Sequence, residues 1–174
     1  MALLLLSLAL AAAATPPPTP FSSPASCPTT PIALPEELAP WTAAAPLAAA
    51  ANVDALGTAP IAIGVATDLT LGKTGEVQYA LRPERPGGSV SHGGMAQFTV
   101  TRAGLYRVAL GNAAWLDVVA DGKGLQSVAH GHGPDCSGIR KMVDFHLAPG
   151  DYLLQIAGSG TPVVRVLVAS VPGK

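Results

Sequence analysis

From Pro60 to residue 174, the chain consists of short runs of β-forming residues that Gly, Pro, Asp and Asn separate. Valine, isoleucine, threonine and aromatic residues favour strands, whereas Gly, Pro, Asp and Asn favour the turns between them. Runs that recur about every 8–12 residues are typical of antiparallel sandwiches and barrels. We therefore predict an all-β fold of about eight strands, either a β-sandwich or a barrel. The candidate strands are 61–66, 75–81, 96–101, 105–110, 114–120, 125–129, 141–147, 152–157 and 163–169.

Apolar and polar residues alternate within several of these runs, which assigns one face of each strand to the core. The residues predicted to point inward are Phe98, Val100, Tyr106, Val108, Leu110, Val143, Phe145 and Leu147. Hairpin turns are predicted at Asn112 and at Asp121-Gly122, because Asn, Asp and Gly tolerate the positive φ that tight hairpins need. Pro149-Gly150-Asp151 fits a turn between two strands.

The first 35 residues contain no charged side chain, and residues 2–14 are rich in Leu and Ala. An apolar run of about a dozen residues matches the core of a secretory signal, whereas about 20 residues are needed to span a bilayer. Small residues end the run and suit cleavage near Ala14, although no basic residue follows Met1. An uncleaved anchor is the alternative. We predict a signal peptide at 1–14 and a periplasmic or secreted protein that inserts into no membrane after cleavage.

Residues 15–59 form a proline-rich segment ahead of the predicted strands. Prolines at this density block helices and sheet ladders and favour extended polyproline conformations. The segment is either a spacer or partner ligand, or an arm that packs on the domain. We favour the arm, because apolar residues such as Trp41 recur along it and a free linker would not need them. A short helix is predicted at 46–57, and the β-sandwich domain is predicted to span 60–174.

Two cysteines, Cys27 and Cys136, remain after removal of the signal. In an oxidising compartment an even number of cysteines predicts a disulfide, which here would tie the arm to the domain. Closing a loop of about 100 residues is worth about 4–5 kcal/mol in the chain-entropy model. Lipid attachment to Cys27 is disfavoured, because Pro24-Ala25-Ser26 does not match a lipobox.

The charge composition excludes two classes of partner. Charged residues make up 12% of the chain and the formal net charge is −1, so the chain lacks the basic surface that nucleic acids and anionic membranes require. The sequence also lacks a Gly-x-Ser-x-Gly elbow, a phosphate-binding loop, a His-Glu-x-x-His helix and a Cys-x-x-Cys pair. Hydrolase, kinase, metalloprotease and thiol-redox functions therefore have no motif to support them.

One stretch concentrates residues that could carry chemistry. His130 and His132 lie two positions apart, a spacing that puts both side chains on one face of a strand and within reach of one metal ion. Asp135 or His146 could complete a set of ligands for iron, zinc or copper. The alternative is that these histidines are solvated loop residues and that no cofactor binds. In that case the glycines beside them form a tight loop that Cys136 locks.

Two resemblances bear on these residues. The spacing from Gly124 to His130-Gly131-His132 and Asp135, with the turn at 147–152, resembles the first cupin motif. It implies a metal-dependent dioxygenase of the homogentisate dioxygenase type that uses His130, His132 and either Asp135 or His146. The chain departs from that motif, because the acid follows the second histidine after only two residues and no histidine follows His146.

The second resemblance covers about residues 95–168, which are similar to the jelly-roll domains of the bacterial pre-peptidase C-terminal type. It depends on a Gly-aromatic strand start at 104–108, an Asp within an apolar strand at 115–119 and the Leu-x-Pro-Gly-x-Tyr corner at 147–152. It implies an antiparallel β-sandwich of jelly-roll type for this chain. Such domains resemble carbohydrate-binding modules and usually lack catalysis. Cys27-Pro28 and the segment 34–41 also resemble the opening of small exported proteins of sphingomonad-like bacteria.

The leading functional hypothesis is a noncatalytic binding or accessory module. Its ligand would be a small molecule, a glycan or an envelope protein. The predicted contact surface consists of exposed residues at His92, 130–135, Arg140 and Lys141. The alternatives are the cupin-like dioxygenase and a protein that docks through a sheet edge or through the proline-rich arm.

Overall fold

The computed structural model describes Cys27 and residues 32–173, which form two packed β-sheets and three short 3₁₀ helices. The predicted signal peptide at 1–14 lies outside the described residues. The helices are η1 (Glu36–Thr42), η2 (Val53–Thr58) and η3 (Thr74–Glu76). The strands are β1 (Ala44–Ala48), β2 (Ala66–Thr70), β3 (Gly72–Lys73), β4 (His92–Val100), β5 (Gly104–Leu110), β6 (Trp115–Ala120), β7 (Lys123–Gly124), β8 (Ala129–Gly131), β9 (Lys141–Leu147), β10 (Gly150–Ser159) and β11 (Val163–Ser170).

The six-stranded sheet has the order β1-β2-β11-β5-β9-β8, and the five-stranded sheet has the order β3-β4-β10-β6-β7. The central order β2-β11-β5-β9 facing β4-β10-β6-β7 is a jelly-roll arrangement, in which most connections cross from one sheet to the other. The predicted all-β sandwich is therefore confirmed. Within residues 32–173, eleven strands form instead of about eight. The proline-rich segment adds β1, and β3, β7 and β8 have only two or three residues each.

The core lies between the sheets and contains the residues that alternation assigns to it. Of the eight residues predicted to point inward, all are buried except Val143, which is partly buried and packs against the core. Phe98 and Tyr152 stack across paired strands with their ring centroids 5.4 Å apart. The hydroxyl of Tyr152 donates to the carbonyl oxygen of Ala148 at 2.8 Å, so this buried polar atom is satisfied at the corner between β9 and β10.

Three predicted strands are wrong or displaced. The run at 61–66 contains a turn with Gly64 at φ +77°, and the strand begins only at Ala66. The run at 75–81 is η3 followed by irregular backbone, because the side-chain amide of the buried Gln155 bonds both backbone groups of Leu81 in place of a neighbouring strand. The run at 125–129 is irregular until β8 begins at its last residue.

Of the two predicted hairpin turns, one is confirmed and one is wrong. Asp121 and Gly122 have φ values of 50° and 70° and connect β6 to β7 as a hairpin, as predicted. The predicted hairpin at Asn112 is wrong, because β5 and β6 belong to different sheets. There the Asn112 side chain accepts from the backbone of Ala114 at 3.0 Å and donates to the hydroxyl of Ser159 at 2.9 Å. The turn at 149–151 carries the chain from one sheet to the other.

The proline-rich segment enters the sheet, which corrects the expectation that its prolines block ladders. Strand β1 contains Pro46 and pairs in parallel with β2 at the edge of the six-stranded sheet. An edge strand tolerates proline because only one side of it needs hydrogen bonds. The helix predicted at 46–57 is also wrong: η2 begins later, and Asn52 caps it by accepting from the backbone N–H of Ala55 at 3.0 Å.

Helix η1 covers the outer face of the six-stranded sheet. Leu38 and Trp41 are buried in a second apolar cluster against β2, β5 and β11. The indole N–H of Trp41 donates to the carbonyl oxygen of Ser137 at 3.0 Å. The predicted disulfide between Cys27 and Cys136 is confirmed, with 5.5 Å between the two Cα atoms. Indole and disulfide therefore attach the N-terminal segment to the same loop.

No helix among the described residues is long and apolar enough to cross a bilayer.

Candidate functional site

A cleft of about 470 Å³ opens along the side of the sandwich where the β6–β7 edge of one sheet meets the β8–β9 edge of the other. The connection between β7 and β8 and the long connection between β3 and β4 contribute to its walls. Its lining combines an indole, charged groups and apolar side chains, which is the composition of many small-ligand sites. The lining residues are Glu84, Trp115, Leu116, Asp117, Gly124, Leu125, Gln126, Ser127, His130, Lys141, Val143 and Phe145.

Trp115 is held in place by a hydrogen-bond chain on the outer face of the five-stranded sheet. Its indole N–H donates to Oδ1 of Asp117 at 3.0 Å, two residues along the same strand. The amide Nε2 of Gln155 donates to Oδ2 of Asp117 at 3.1 Å. Gln155 is fully buried beneath this surface and also bonds Leu81. Both oxygens of Asp117 therefore have partners within the protein, and the carboxylate orients the indole.

Two cations lie beside the indole. The Nζ atom of Lys141 and the guanidinium carbon of Arg85 are each 5.8 Å from the ring centroid of Trp115, within the range of a cation–π interaction. Lys141 reaches from β9 to donate to the carbonyl oxygen of Ala114 at 2.6 Å, so it links the two sheets. Burial lowers the pKa of Lys141 below its ordinary value, and the charge of Arg85 lowers it further.

The structure brings only some of the predicted site residues to this cleft. Lys141 and His130 line it. Arg140 is exposed and lies outside the lining, as does His92 at the start of β4. The Nδ1 atom of His92 is buried and has no hydrogen-bond partner among the described residues.

The four candidate metal ligands occupy different settings. His130 lies on β8 opposite Val143, while His132 lies beyond the end of that strand. The Nδ1 atom of His132 is 2.8 Å from the carbonyl oxygen of Arg140, a contact in which the ring N–H donates. Asp135 is exposed in the disulfide-bonded loop, and His146 is exposed on β9.

Within residues 32–173 and at Cys27, no three His, Cys, Asp or Glu residues are grouped closely enough to hold a metal ion. The metal-site hypothesis for these four residues therefore gains no support from the fold.

Sequence reasoning missed the residues that form the floor of the cleft. Trp115 and Asp117 alternate with the buried Leu116 on β6, so alternation places them together on the outer face of the sheet. That pattern could have identified both. Arg85, which lies beside the Trp115 ring but outside the lining of the cleft, had no such signal, because it lies in an irregular connection whose path depends on the sheet beneath it.

A comparison with known protein families finds no match for this chain, and a comparison with curated proteins finds none either.

Proposed function

We propose that this protein is an exported, noncatalytic binding module and that the cleft beside Trp115 is its ligand site. The observation that carries the proposal is the cleft itself, a concave site of about 470 Å³ with an oriented indole and two neighbouring cations. Concave sites of this composition suit small molecules better than protein partners, which usually bind flat surfaces of larger area. A small molecule or a glycan unit is therefore the ligand class that we favour.

A binding role fits the state of the acidic group at the floor of the cleft. A general acid or base must exchange a proton with the substrate. In this structure Asp117 accepts hydrogen bonds from Trp115 and Gln155, one on each oxygen, which hold the carboxylate in a fixed orientation against the indole. The carboxylate therefore positions the binding surface.

Export is supported by two independent features. Disulfides persist in oxidising compartments, and Cys27 is bonded to Cys136. The uncharged, Leu- and Ala-rich run at 2–14 has the composition of a secretory signal. We propose that the mature protein works in the periplasm or is secreted.

The test is a fragment screen by ¹H–¹⁵N NMR on the disulfide-bonded protein, with neutral and charged small molecules. We expect the largest chemical-shift changes at Trp115, Ser127 and His130, and we expect Trp115→Ala to remove them. The control is Val90→Ala, because Val90 is 81% exposed and lies outside the cleft. Shift changes that avoid the cleft, or that persist in Trp115→Ala, would overturn the proposal.

A further inference from the structure

We infer that the cleft binds an organic anion, with the negative group between Lys141 and Arg85 and an apolar body against the wall of the cleft. This inference rests on the proposed function and names the class of ligand.

The first argument is the charge at the indole. Lys141 and Arg85 approach the same ring, and neither forms an ion pair with any carboxylate of the described residues, since the ion pairs there involve only Arg107 and Arg165. Residues 1–26 and 28–31 contain no acidic side chain that could supply one. Two like charges near one low-dielectric surface repel each other, and an anion between them removes that repulsion.

The second argument is the hydrogen-bonding capacity that remains free. The ammonium group of Lys141 has three donors, and the carbonyl oxygen of Ala114 takes one of them. The guanidinium of Arg85 makes no hydrogen bond with the described residues, so its five donors face solvent or a ligand. Each oxygen of Asp117 already accepts a hydrogen bond from within the protein, and Glu84, which also lines the cleft, pairs with neither cation. The cations therefore offer donors to a ligand that is rich in acceptors.

The third argument concerns the burial of Lys141. Its side chain is only partly exposed, and desolvation lowers its pKa. A half-buried ammonium group has lost part of its water shell, which makes a charge-assisted bond to an incoming anion stronger than at an open surface. Leu125, Val143 and Phe145 line the same cleft and give the apolar part of the ligand a place to pack.

The experiment compares benzoate with benzamide, which have nearly the same shape and differ in charge. Each is titrated into the ¹⁵N-labelled protein while the indole N–H signals are followed. The sequence contains two tryptophans, so Trp41, which belongs to η1 and is buried against the six-stranded sheet, serves as an internal control. We expect benzoate to move the Trp115 signal with an affinity at least about tenfold above that of benzamide, and increasing salt to weaken it.

Variants assign the effect to the two cations. Lys141→Met is expected to weaken benzoate binding about tenfold or more, whereas Lys141→Arg, which keeps the charge, is expected to retain most of it. Arg85→Gln should weaken binding to a similar degree. Lys73→Met and Arg82→Gln are the matched controls, because they remove the same charges at residues that do not approach the Trp115 ring.

The possible outcomes distinguish the anion assignment from the proposed function. Equal binding of benzoate and benzamide, or benzoate binding that Lys141→Met and Arg85→Gln leave unchanged, would overturn the anion assignment. If benzoate causes no shift while neutral fragments still move Trp115, the assignment fails and the proposed function stands. If no fragment of any charge moves Trp115, both fail.

Discussion

Two regions of the molecule each place an arginine over a tryptophan ring, Arg165 over Trp41 at 5.9 Å and Arg85 over Trp115 at 5.8 Å. On the outer face of the six-stranded sheet the arrangement is closed. Arg165 makes two hydrogen bonds to Asp68, at 2.8 and 2.9 Å, and a third to the backbone of Trp41. At the cleft the arrangement is open, since Trp115 is partly exposed and Arg85 has no ion-pair partner among the described residues.

The difference shows how the same two residue types, arginine and tryptophan, serve stability in one region and ligand binding in the other. On the closed side, Arg107 also pairs with Asp144 across β5 and β9 and reaches Glu37 of η1 at 3.3 Å. Satisfied charges and buried apolar groups together fix the N-terminal segment to the sheet. At the cleft, the cations remain available to an external ligand. We therefore expect changes on the closed side to affect stability and changes at the cleft to affect binding.

The largest effect should come from removing the disulfide that holds the closed side. Replacing Cys27 and Cys136 with serine should lower the free energy of unfolding by about 4–5 kcal/mol, because the unfolded chain regains the freedom that the long cross-link removes. Urea unfolding of both proteins measures the difference. Reductant should destabilise the unmodified protein and leave the double variant unchanged; equal stability without reductant would show that the cross-link contributes nothing.

The two tryptophans give a matched comparison. Trp41→Ala should lower the free energy of unfolding by about 3–4 kcal/mol, because it removes a side chain of η1 that is 4% exposed and packed against the six-stranded sheet. Trp115→Ala should cost about 1 kcal/mol, because that side chain already contacts solvent. Thermal and urea unfolding of both variants measures this contrast. Equal losses of stability would contradict the division between a structural and a binding region.

The arginine and lysine positions extend the comparison to charge. Arg107→Met leaves Asp144 buried without its partner and should lower the free energy of unfolding by about 2–3 kcal/mol. This value is below that of a fully buried ion pair, because the arginine is partly exposed. Lys141→Met removes a cation without an ion-pair partner and should change stability by less than about 1 kcal/mol. Denaturant titration at neutral pH measures both. A larger loss in Lys141→Met would show that the hydrogen bond of Lys141 to Ala114 contributes substantially to stability, against the assignment of Lys141 to binding.

The smallest predicted effect concerns pH. The hydrogen bonds and charge of Arg165 hold the pKa of Asp68 below its ordinary value despite the opposing effect of burial. A lowered folded-state pKa adds stability that is complete above the unfolded value of about 3.9 and is lost as pH falls through the folded value.

Asp68→Asn should therefore be less stable than the unmodified protein at pH 6, by less than about 1 kcal/mol for so exposed a pair. The difference should shrink as the pH falls below about 4. Stability curves of both proteins between these conditions measure it. A difference that stays constant with pH would exclude the ion pair as its cause.

The sequence predicts the parts of this structure that depend on local pattern. Alternation identifies the strand faces that bury Phe98 and Val108, and the Asp121-Gly122 pair identifies its hairpin. The sequence pattern fails where contacts with distant residues determine the backbone conformation. An example is Leu81, whose backbone N–H and carbonyl oxygen are both hydrogen-bonded to the side chain of Gln155. The strand that contains Pro46 was not predicted for a related reason. A strand tolerates a proline when it lies at the edge of a sheet, and local sequence does not give that position.

The cleft was only partly predictable. Lys141 and His130 were identified as contact residues, but the partners of Lys141 come from other elements of the chain: Trp115 from β6 and Arg85 from the connection before β4. Such a grouping depends on sheet order, which periodicity does not give. The expectation that His130 and His132 act together depends on a regular strand, and β8 ends at Gly131, between them.

Hydrogen exchange at the two indole N–H groups, measured with and without benzoate, tests the central claim most directly. We predict that the Trp41 proton exchanges slowly and is unaffected by benzoate, because its exchange requires the N-terminal segment to detach. We predict that the Trp115 proton exchanges faster and is slowed by benzoate. Slow exchange at Trp115 without benzoate, or protection by benzoate at Trp41 alone, would contradict the account of one closed and one open region.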